Sequence, residues 1–206
     1  MRRIHFFLGC SLFLFFIFFS YLVHKNLFIH VDFDTTVKLQ DKISRRFDGM
    51  FSILSDIGAF EVMLGVLVVF LVLRRKVLGI VTLGLFGAFH LIELYGKFFV
   101  NHPPPPEFMI RTEKIINFPQ FYVRSQFSYP SGHAGRAAFV TAFLGAWVWE
   151  SKKLSKQAKI CILGVLGVYD IAMFVTRIYL GEHWATDVIG GAILGGALGI
   201  LGGVVL

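Results

Sequence analysis

Charged residues are scarce in this chain. They make up 16% of its 206 residues, whereas about a quarter is usual in a soluble domain. Hydrophobic residues account for 56% and gather in long runs. No stretch shows the strand alternation that a barrel needs, no repeat has solenoid spacing, and no soluble domain is expected. The composition therefore predicts an all-α membrane protein with one domain, residues 1–206.

Cysteine and proline are also rare. The two cysteines, Cys10 and Cys161, lie in separate apolar runs, which is typical of small core residues and indicates nothing about redox compartment. Four of the six prolines are consecutive in "NHPPPPEF", residues 101–108. Because proline disfavours helix in the residue before it, this run predicts a stiff, extended exit from the preceding helix.

Apolar runs long enough to cross a bilayer, about 20 residues each, occur at six places. They are residues 4–23, 57–73, 77–99, 134–149, 159–179 and 185–205. The first has a charged start but lacks a small-x-small cleavage site, so residues 1–31 are predicted to be a retained signal-anchor helix and loop. The other five form a predicted core over about residues 57–206.

Residues 32–55 combine charges with an apolar stripe. The stripe consists of Val37, Leu39, Ile43, Phe47 and Phe51. This pattern predicts a helical segment that lies on the outer membrane surface, and a solvated connector fits it equally well.

The basic residues of the short connections set the predicted orientation. They are Arg2 and Arg3, then Arg74, Arg75 and Lys76, then Lys152, Lys153, Lys156 and Lys159. In an alternating six-helix chain these all fall on one side, which is the cytoplasmic side by the positive-inside rule. The net charge of +7 is therefore interpreted as a topology signal, and no nucleic-acid partner is expected.

Glycine recurs every four residues in the last span. Gly191, Gly195, Gly199 and Gly203 share one helix face, which lets another helix approach closely. The partner could lie in the same chain or in a second copy, so a homodimer through this helix is one possibility.

Ionisable residues within or beside membrane spans are costly and usually functional. Four groups stand toward the ends of the helices that are predicted to face outward. They are His90, Glu93 and Lys97; Ser131, His133 and Arg136; Asp170 and Arg177; and His183 and Asp187. We therefore expect one polar layer at the outer side of the bundle.

The residue types in this layer suit phosphoryl transfer. Ser131 could cap a helix whose N-terminus binds an anion. Asp187, one turn beyond His183, could orient the imidazole and leave its other nitrogen free as a nucleophile. Lys97 and Arg177 supply the cations that a phosphoryl group needs, and no metal or cofactor is implied.

Plainer interpretations exist for parts of the set. The His183–Asp187 pair could bind a metal or be a satisfied interfacial pair. His90 and Glu93 favour a structural hydrogen bond or ion pair over a catalytic one. Asp170 could simply neutralise Arg177.

Two motifs resemble those of the type 2 phosphatidic acid phosphatase family, whose relatives include the vanadium haloperoxidases. "PSGH", residues 130–133, matches one motif intact. "TRIYLGEHWATD", residues 176–187, keeps the family's spacing of Arg, His and Asp, with Thr176 where the family has Ser. The resemblance covers roughly residues 50–205 and implies a bundle of six transmembrane helices.

The first motif of that family is incomplete here. Lys97 matches, but Pro104 stands where the family has an arginine that binds phosphate. His102, Arg111 and Arg124, all in the outer loop, are candidates for a replacement cation.

The resemblance also implies a mechanism. His183 would attack phosphorus, Asp187 would orient it, and His133 would protonate the leaving oxygen and then activate water. Lys97, Arg177, Ser131 and Gly132 would hold the phosphoryl oxygens. No metal takes part in this scheme.

The implied function is a lipid phosphate phosphatase that acts at the outer face of a prokaryotic inner membrane. The candidate lipids are undecaprenyl diphosphate, favoured marginally, phosphatidylglycerol phosphate, phosphatidic acid and a lipid A phosphate. Transfer of the phosphoryl group to a second lipid is one alternative. A lipid-binding or transport protein on an impaired scaffold is another.

Overall fold

All regular elements in the described part of the chain are helical. The computed structural model describes residues 2–74, 78–113 and 126–205. These described residues form eight α-helices: α1 Arg2–His24, α2 Ile29–Lys42, α3 Asp48–Ile57, α4 Phe60–Arg74, α5 Gly79–Phe99, α6 Gly132–Glu150, α7 Lys156–Tyr179 and α8 Ala185–Val205. Short 3₁₀ helices occupy Arg45–Phe47 and Glu107–Met109.

The predicted apolar runs coincide with α1 and α4–α8, each within one turn. Four of these helices, α1, α5, α7 and α8, are long and apolar enough to span a membrane. A fifth span arises if the segment Arg45–Ile57 is joined to α4, from which it is bent by 46°. The chain is thus an integral membrane protein, and a count of six spans stays a prediction because α6 is not among those helices.

Helix α8 lies at the centre and packs most closely on α6. Cβ atoms added to its glycines would meet backbone carbonyl oxygens of α6 and of the residue that precedes it: Gly191 meets Ser131, Gly195 meets Gly135, and Gly199 meets Phe139. The glycine face is therefore occupied by α6 of the same chain. A homodimer through this helix stays an untested expectation.

The apolar core fills the space around this helix pair. Its fully buried side chains include Phe89, Phe139, Phe143 and Leu194. Helix α7 is peripheral, with Val165, Val168 and Ile171 exposed on its outer side. Exposed apolar side chains at this position suit contact with lipid.

The predicted surface segment consists of α2, a 3₁₀ turn and α3, so its first helix begins at Ile29 rather than at residue 32. Polar side chains on one face of this segment are buried against the bundle: Asp32, Thr36, Asp48, Ser52 and Ser55. Apolar side chains of the same segment are exposed, among them Ile29, Val31, Phe33, Met50 and Ile53. The segment therefore covers one end of the bundle with its polar face inward, and its placement on a membrane surface stays a prediction.

Candidate active site

Three backbone hydrogen bonds bring together the helix ends that carry the predicted site residues. The amide of Ser131 donates to the carbonyl of Asp187 at 2.9 Å, which joins the start of α6 to the first turn of α8. The amide of His183 donates to the carbonyl of Arg177 at 3.3 Å, across the turn between α7 and α8. The amide of Phe127 donates to the carbonyl of Lys97 at 3.2 Å, at the end of α5. The ends of α5, α6, α7 and α8 that carry the predicted polar layer are thus linked to one another or to the segments beside them, whereas Asp170 is not part of this group.

Asp187 orients His183 from the first turn of α8. Its Oδ2 lies 3.2 Å from Nδ1 of His183 and accepts the backbone N–H of Trp184 at 3.1 Å. Both side chains are buried. Burial lowers the pKa of His183, and the hydrogen bond and charge of Asp187 offset this only in part. With Nδ1–H donating to Asp187, the lone pair of Nε2 is free.

Ser131 is the N-cap residue of α6, as predicted, but its hydroxyl makes no capping hydrogen bond. The hydroxyl is completely buried, and among the described residues it has no hydrogen-bond partner. Buried hydroxyls are nearly always paired, so an orphan at the start of a helix is suited to receive a ligand oxygen.

Gly132 has a packing reason to be glycine. A Cβ atom there would lie 2.7 Å from Cδ of Glu93 and 2.8 Å from a terminal nitrogen of Arg136. The absence of a side chain lets the Glu93 carboxylate approach the start of α6. A role of Gly132 in holding phosphate stays a prediction.

Glu93 holds Lys97 and Arg136 together. Its carboxylate lies 3.8 Å from Nζ of Lys97 and 3.7 Å from a terminal nitrogen of Arg136. The same carboxylate lies 3.1 Å from Nδ1 of His90, and this is the structural contact that the sequence favours for His90 and Glu93. Arg136 donates through Nε to the carbonyl of Gly58 at 3.0 Å, at the break between α3 and α4.

Arg177 is anchored on two sides. Its terminal nitrogens donate to the hydroxyl of Ser55 and to the carboxylate of Glu182. Its Nε is buried and has no partner among the described residues. Burial would raise the pKa of Glu182, but the charge of Arg177 and a hydrogen bond from Thr112 lower it, so Glu182 is a carboxylate. The Nε–H of Arg177, which has no partner in the described part of the chain, can thus donate to an anion.

His133, in the first turn of α6, lies within electrostatic reach of His183, Arg177 and Lys97. Its ring also borders the helix break, since a Cβ atom on Gly58 would lie 3.2 Å from its Cδ2. Asp170 lies apart from Arg177 and accepts a hydrogen bond from Thr141 at 2.7 Å. Its expected role in neutralising Arg177 therefore finds no support.

The three candidates for a replacement cation have different surroundings. His102 lies between two carboxylates, with Nδ1 2.8 Å from Oδ1 of Asp187. Arg111 lies over the ring of Tyr179, 5.2 Å from its centroid, and donates to its hydroxyl at 3.3 Å. Arg124 lies outside the described residues. Arg136 is a further cation near His133, and the family motifs do not point to it for this role.

Sequence reasoning missed Asp32, which is buried and accepts hydrogen bonds from the amide and hydroxyl of Thr186 at 2.8 and 2.7 Å. The available signal was a polar stripe at spacing four, Asp32, Thr36 and Gln40. Gln40 donates to the carbonyls of Met109 and Tyr179, so this stripe faces the protein.

Within residues 2–74, 78–113 and 126–205, no group of three or more His, Cys, Asp or Glu side chains is arranged to hold a metal ion. The expected independence from metal remains to be tested with a chelator.

Membrane-spanning helices and a buried cluster of histidines, carboxylates and cations are the features expected of a membrane-embedded phosphatase. The particular family follows from comparison: the PAP2 superfamily matches residues 75–204, and the chain belongs to it. This confirms the resemblance seen in the motifs.

The similar proteins below match this chain over most of its length. Phosphatidylglycerophosphatase B of Bacillus subtilis (strain 168) is 26% identical over 190 residues, which is 90% of this chain and 88% of that protein. The crystal structure of a transmembrane PAP2 type phosphatidylglycerolphosphate phosphatase from Bacillus subtilis has a TM-score of 0.74 and 25% identity, covering 94% of this chain and 93% of that one. Aquifex aeolicus LpxE has the same fold, with a TM-score of 0.63 and 21% identity, covering 84% of this chain and 94% of the other.

Proposed function

We propose that this protein hydrolyses the phosphate ester of a membrane lipid through a phosphohistidine on His183. The observation that carries the proposal is the contact between Nδ1 of His183 and Asp187. Beside it, Nε of Arg177 and the buried hydroxyl of Ser131 have no partner among the residues that the structure describes. These contacts support a site in which a nucleophile, the carboxylate that orients it and donors for an anion act together.

In the first step, Nε2 of His183 attacks phosphorus and forms the N–P bond while the bond from phosphorus to the lipid oxygen breaks. His133 gives its proton to that oxygen, so the lipid leaves as an alcohol, or as a monophosphate when the substrate is a diphosphate. Nε of Arg177, Lys97 and the hydroxyl of Ser131 hold the equatorial oxygens as negative charge develops.

In the second step, His133, now neutral, takes a proton from water, and the water oxygen attacks phosphorus. The N–P bond breaks, inorganic phosphate leaves, and His183 returns to its neutral form. A lipid hydroxyl in place of this water would give phosphotransfer, which the product analysis below distinguishes from hydrolysis.

The names of the relatives make phosphatidylglycerophosphate the first substrate to test. The other candidates are undecaprenyl diphosphate, favoured by the sequence alone, phosphatidic acid and a lipid A phosphate. We place the site at the outer face of a prokaryotic inner membrane, with the N-terminus in the cytoplasm, because the short connections are basic.

The experiment is phosphate release from each lipid by the purified protein in detergent with EDTA present. His183→Ala is the test variant, and His30→Ala, which changes an exposed histidine of α2, is the matched control. We expect turnover that survives EDTA, is unchanged in the control, and falls about 1,000-fold or more in His183→Ala.

Two further measurements test the intermediate. Brief reaction with a substrate labelled in the phosphate should leave label on the protein that is stable in alkali and lost in acid, and none on His183→Ala. Because attack needs neutral His183 and burial lowers its pKa, the acidic limb of kcat/KM should lie below pH 6.5. Full activity of His183→Ala would refute the mechanism, and inactivity on every lipid would favour a binding or transport protein.

A further inference from the structure

Two buried carboxylates and an imidazole form a row of ion-pair and hydrogen-bond contacts that ends at His183. His102, just beyond α5, is 3% exposed, and the carboxylates of Asp32 and Asp187 are buried on either side of it. Nδ1 of His102 lies 2.8 Å from Oδ1 of Asp187, and its Nε2 lies 3.4 Å from Oδ2 of Asp32. The other oxygen of Asp187 contacts His183. The order is therefore Asp32, His102, Asp187, His183.

Both ring nitrogens of His102 face carboxylate oxygens, and both can donate only when the ring is an imidazolium. Burial alone would lower the pKa of His102, but the hydrogen bonds and charges of Asp187 and Asp32 raise it to about 9. One positive charge thus separates two buried negative charges, which without it would be uncompensated.

Asp32 is fixed to the turn of α8 that carries Asp187. It accepts the backbone N–H of Thr186 at 2.8 Å and the hydroxyl of Thr186 at 2.7 Å. Thr186 directly precedes Asp187 in the chain. Asp32 of α2 and Asp187 of α8 therefore hold the imidazole of His102, which follows α5, from both sides.

We propose that His102, held by Asp32, is a positioning residue that fixes the carboxylate of Asp187 so that its free oxygen meets Nδ1 of His183. The proposal rests on the proposed role of His183 as the nucleophile. It gives His102 a place behind the nucleophile and not among the groups that hold phosphate.

The charge of His102 also acts on His183 through Asp187. The charged and titratable groups that face His183 are Asp187 from α8, Arg177 from α7, Lys97 from α5, His133 from α6 and Glu182 from the preceding turn. Removing the imidazolium leaves the negative charge of Asp187 less compensated. The pKa of His183 should then rise, because a nearby negative charge favours its protonated form.

The test compares His102→Asn with His102→Gln. The amide nitrogen of asparagine takes roughly the place of Nδ1 and can still donate to Asp187, whereas that of glutamine takes the place of Nε2 and reaches toward Asp32. His30→Asn, on the exposed side of α2, is the matched control. Each variant is assayed for kcat, KM and the pH profile of kcat/KM, and thermal unfolding gives the folded fraction.

We expect kcat to fall about tenfold or more in His102→Gln, as for loss of a hydrogen bond to a charged group, and about threefold or less in His102→Asn, with KM unchanged in both. The acidic limb of kcat/KM should move up by about one pH unit in both, since both remove the charge. If the glutamine variant is not recovered folded, the position of this limb in His102→Asn decides.

Equal losses in the two variants, or an unmoved acidic limb, would overturn the proposal. A rise in KM with unchanged kcat would also overturn it, because His102 would then be a phosphate ligand. His183→Ala in the same assay separates the two hypotheses. If that variant is active, the proposed mechanism fails, and if it is inactive while the His102 variants behave like wild type, only the role of His102 fails.

Discussion

The close approach of α6 and α8 allows a test of whether the contact between these helices sets the geometry of the site. In Gly195→Ala, the new Cβ atom would lie 2.8 Å from the carbonyl carbon of Gly135 and 3.0 Å from its Cα, and closer still to its oxygen. These are backbone atoms of α6, which no side-chain rotation can move away. Gly196→Ala is the matched control, because a Cβ atom there has no neighbour within 4 Å.

The expected free energies follow from two opposing terms. Alanine is favoured over glycine in a helix by about 1 kcal/mol, and both variants gain this. Overpacking costs about 1–3 kcal/mol, and the upper end applies to Gly195→Ala because a rigid backbone is in the way. The net expectation is a loss of about 2 kcal/mol for Gly195→Ala and a gain of up to about 1 kcal/mol for Gly196→Ala.

The assay is thermal unfolding in detergent followed by circular dichroism at one scan rate, since membrane proteins often unfold irreversibly. A loss of 2 kcal/mol in a chain of this length corresponds to a midpoint lower by about 4–8 °C. Gly196→Ala should unfold at the wild-type temperature or slightly above.

Activity gives a second measure of the same displacement. Ser131 and His133 lie at the start of α6, and the amide of Ser131 donates to the carbonyl of Asp187 on α8. Pushing the helices apart by about 1 Å should cost 10-fold to 100-fold in kcat for the folded fraction. Equal midpoints and equal kcat in the two variants would refute the idea that this glycine face sets the geometry of the site.

Two further substitutions test individual groups of the site. Ser131→Ala removes a buried hydroxyl without a described partner, so thermal stability should be unchanged. Inhibition by vanadate should weaken about 10-fold to 100-fold, as for loss of a hydrogen bond to a charged group. Ser155→Ala, at the N-cap of α7, is the control, and unchanged inhibition in Ser131→Ala would show that Ser131 does not bind phosphate. Glu182→Gln removes the carboxylate that forms an ion pair with Arg177, so vanadate should inhibit at a several-fold lower concentration. Glu107→Gln, at an exposed position, is the control. Weaker inhibition in Glu182→Gln would show that Glu182 is needed to hold Arg177 in place.

The positions of the long helices and the site motifs could be predicted from the sequence because both are local signals. Apolar runs set α1 and α4–α8 within a turn. His183 and Asp187 are four residues apart, so one helical turn brings them together wherever the helix lies. The alternating direction of membrane helices was enough to predict that three further residues lie on the same side of the membrane: Lys97, Ser131 and Arg177.

The polar lining from α2 and α3 could not be predicted in this way. Asp32 is 154 residues from Thr186, and Ser55 is 122 residues from Arg177. An amphipathic segment gives no sign of whether its polar face meets water or a protein, and here that face is buried. The expectation of a surface helix rested on the apolar stripe, whereas the hydrogen bonds to the rest of the protein come from Asp32 and Gln40 of the polar stripe.

The proline run shows how a departure from a family motif can still serve the site. Prolines at 103–106 cannot continue α5, so the carbonyls of this segment are free to accept hydrogen bonds from elsewhere. The carbonyl of His102 accepts from the amide of Ser128 at 3.0 Å, and that of Pro103 accepts the indole N–H of Trp184 at 2.8 Å.

These bonds tie the exit of α5 to the approach to α6 and to the residue that follows His183. Pro104 supplies no positive charge, so any replacement comes from other cations near His133. His133 lies within electrostatic reach of Arg136 as well as of Lys97 and Arg177. Arg136 is linked to Lys97 through Glu93. Because one carboxylate lies between these two cations, the three side chains carry one net positive charge, and we propose that this charge takes the place of the one that an arginine at position 104 would supply.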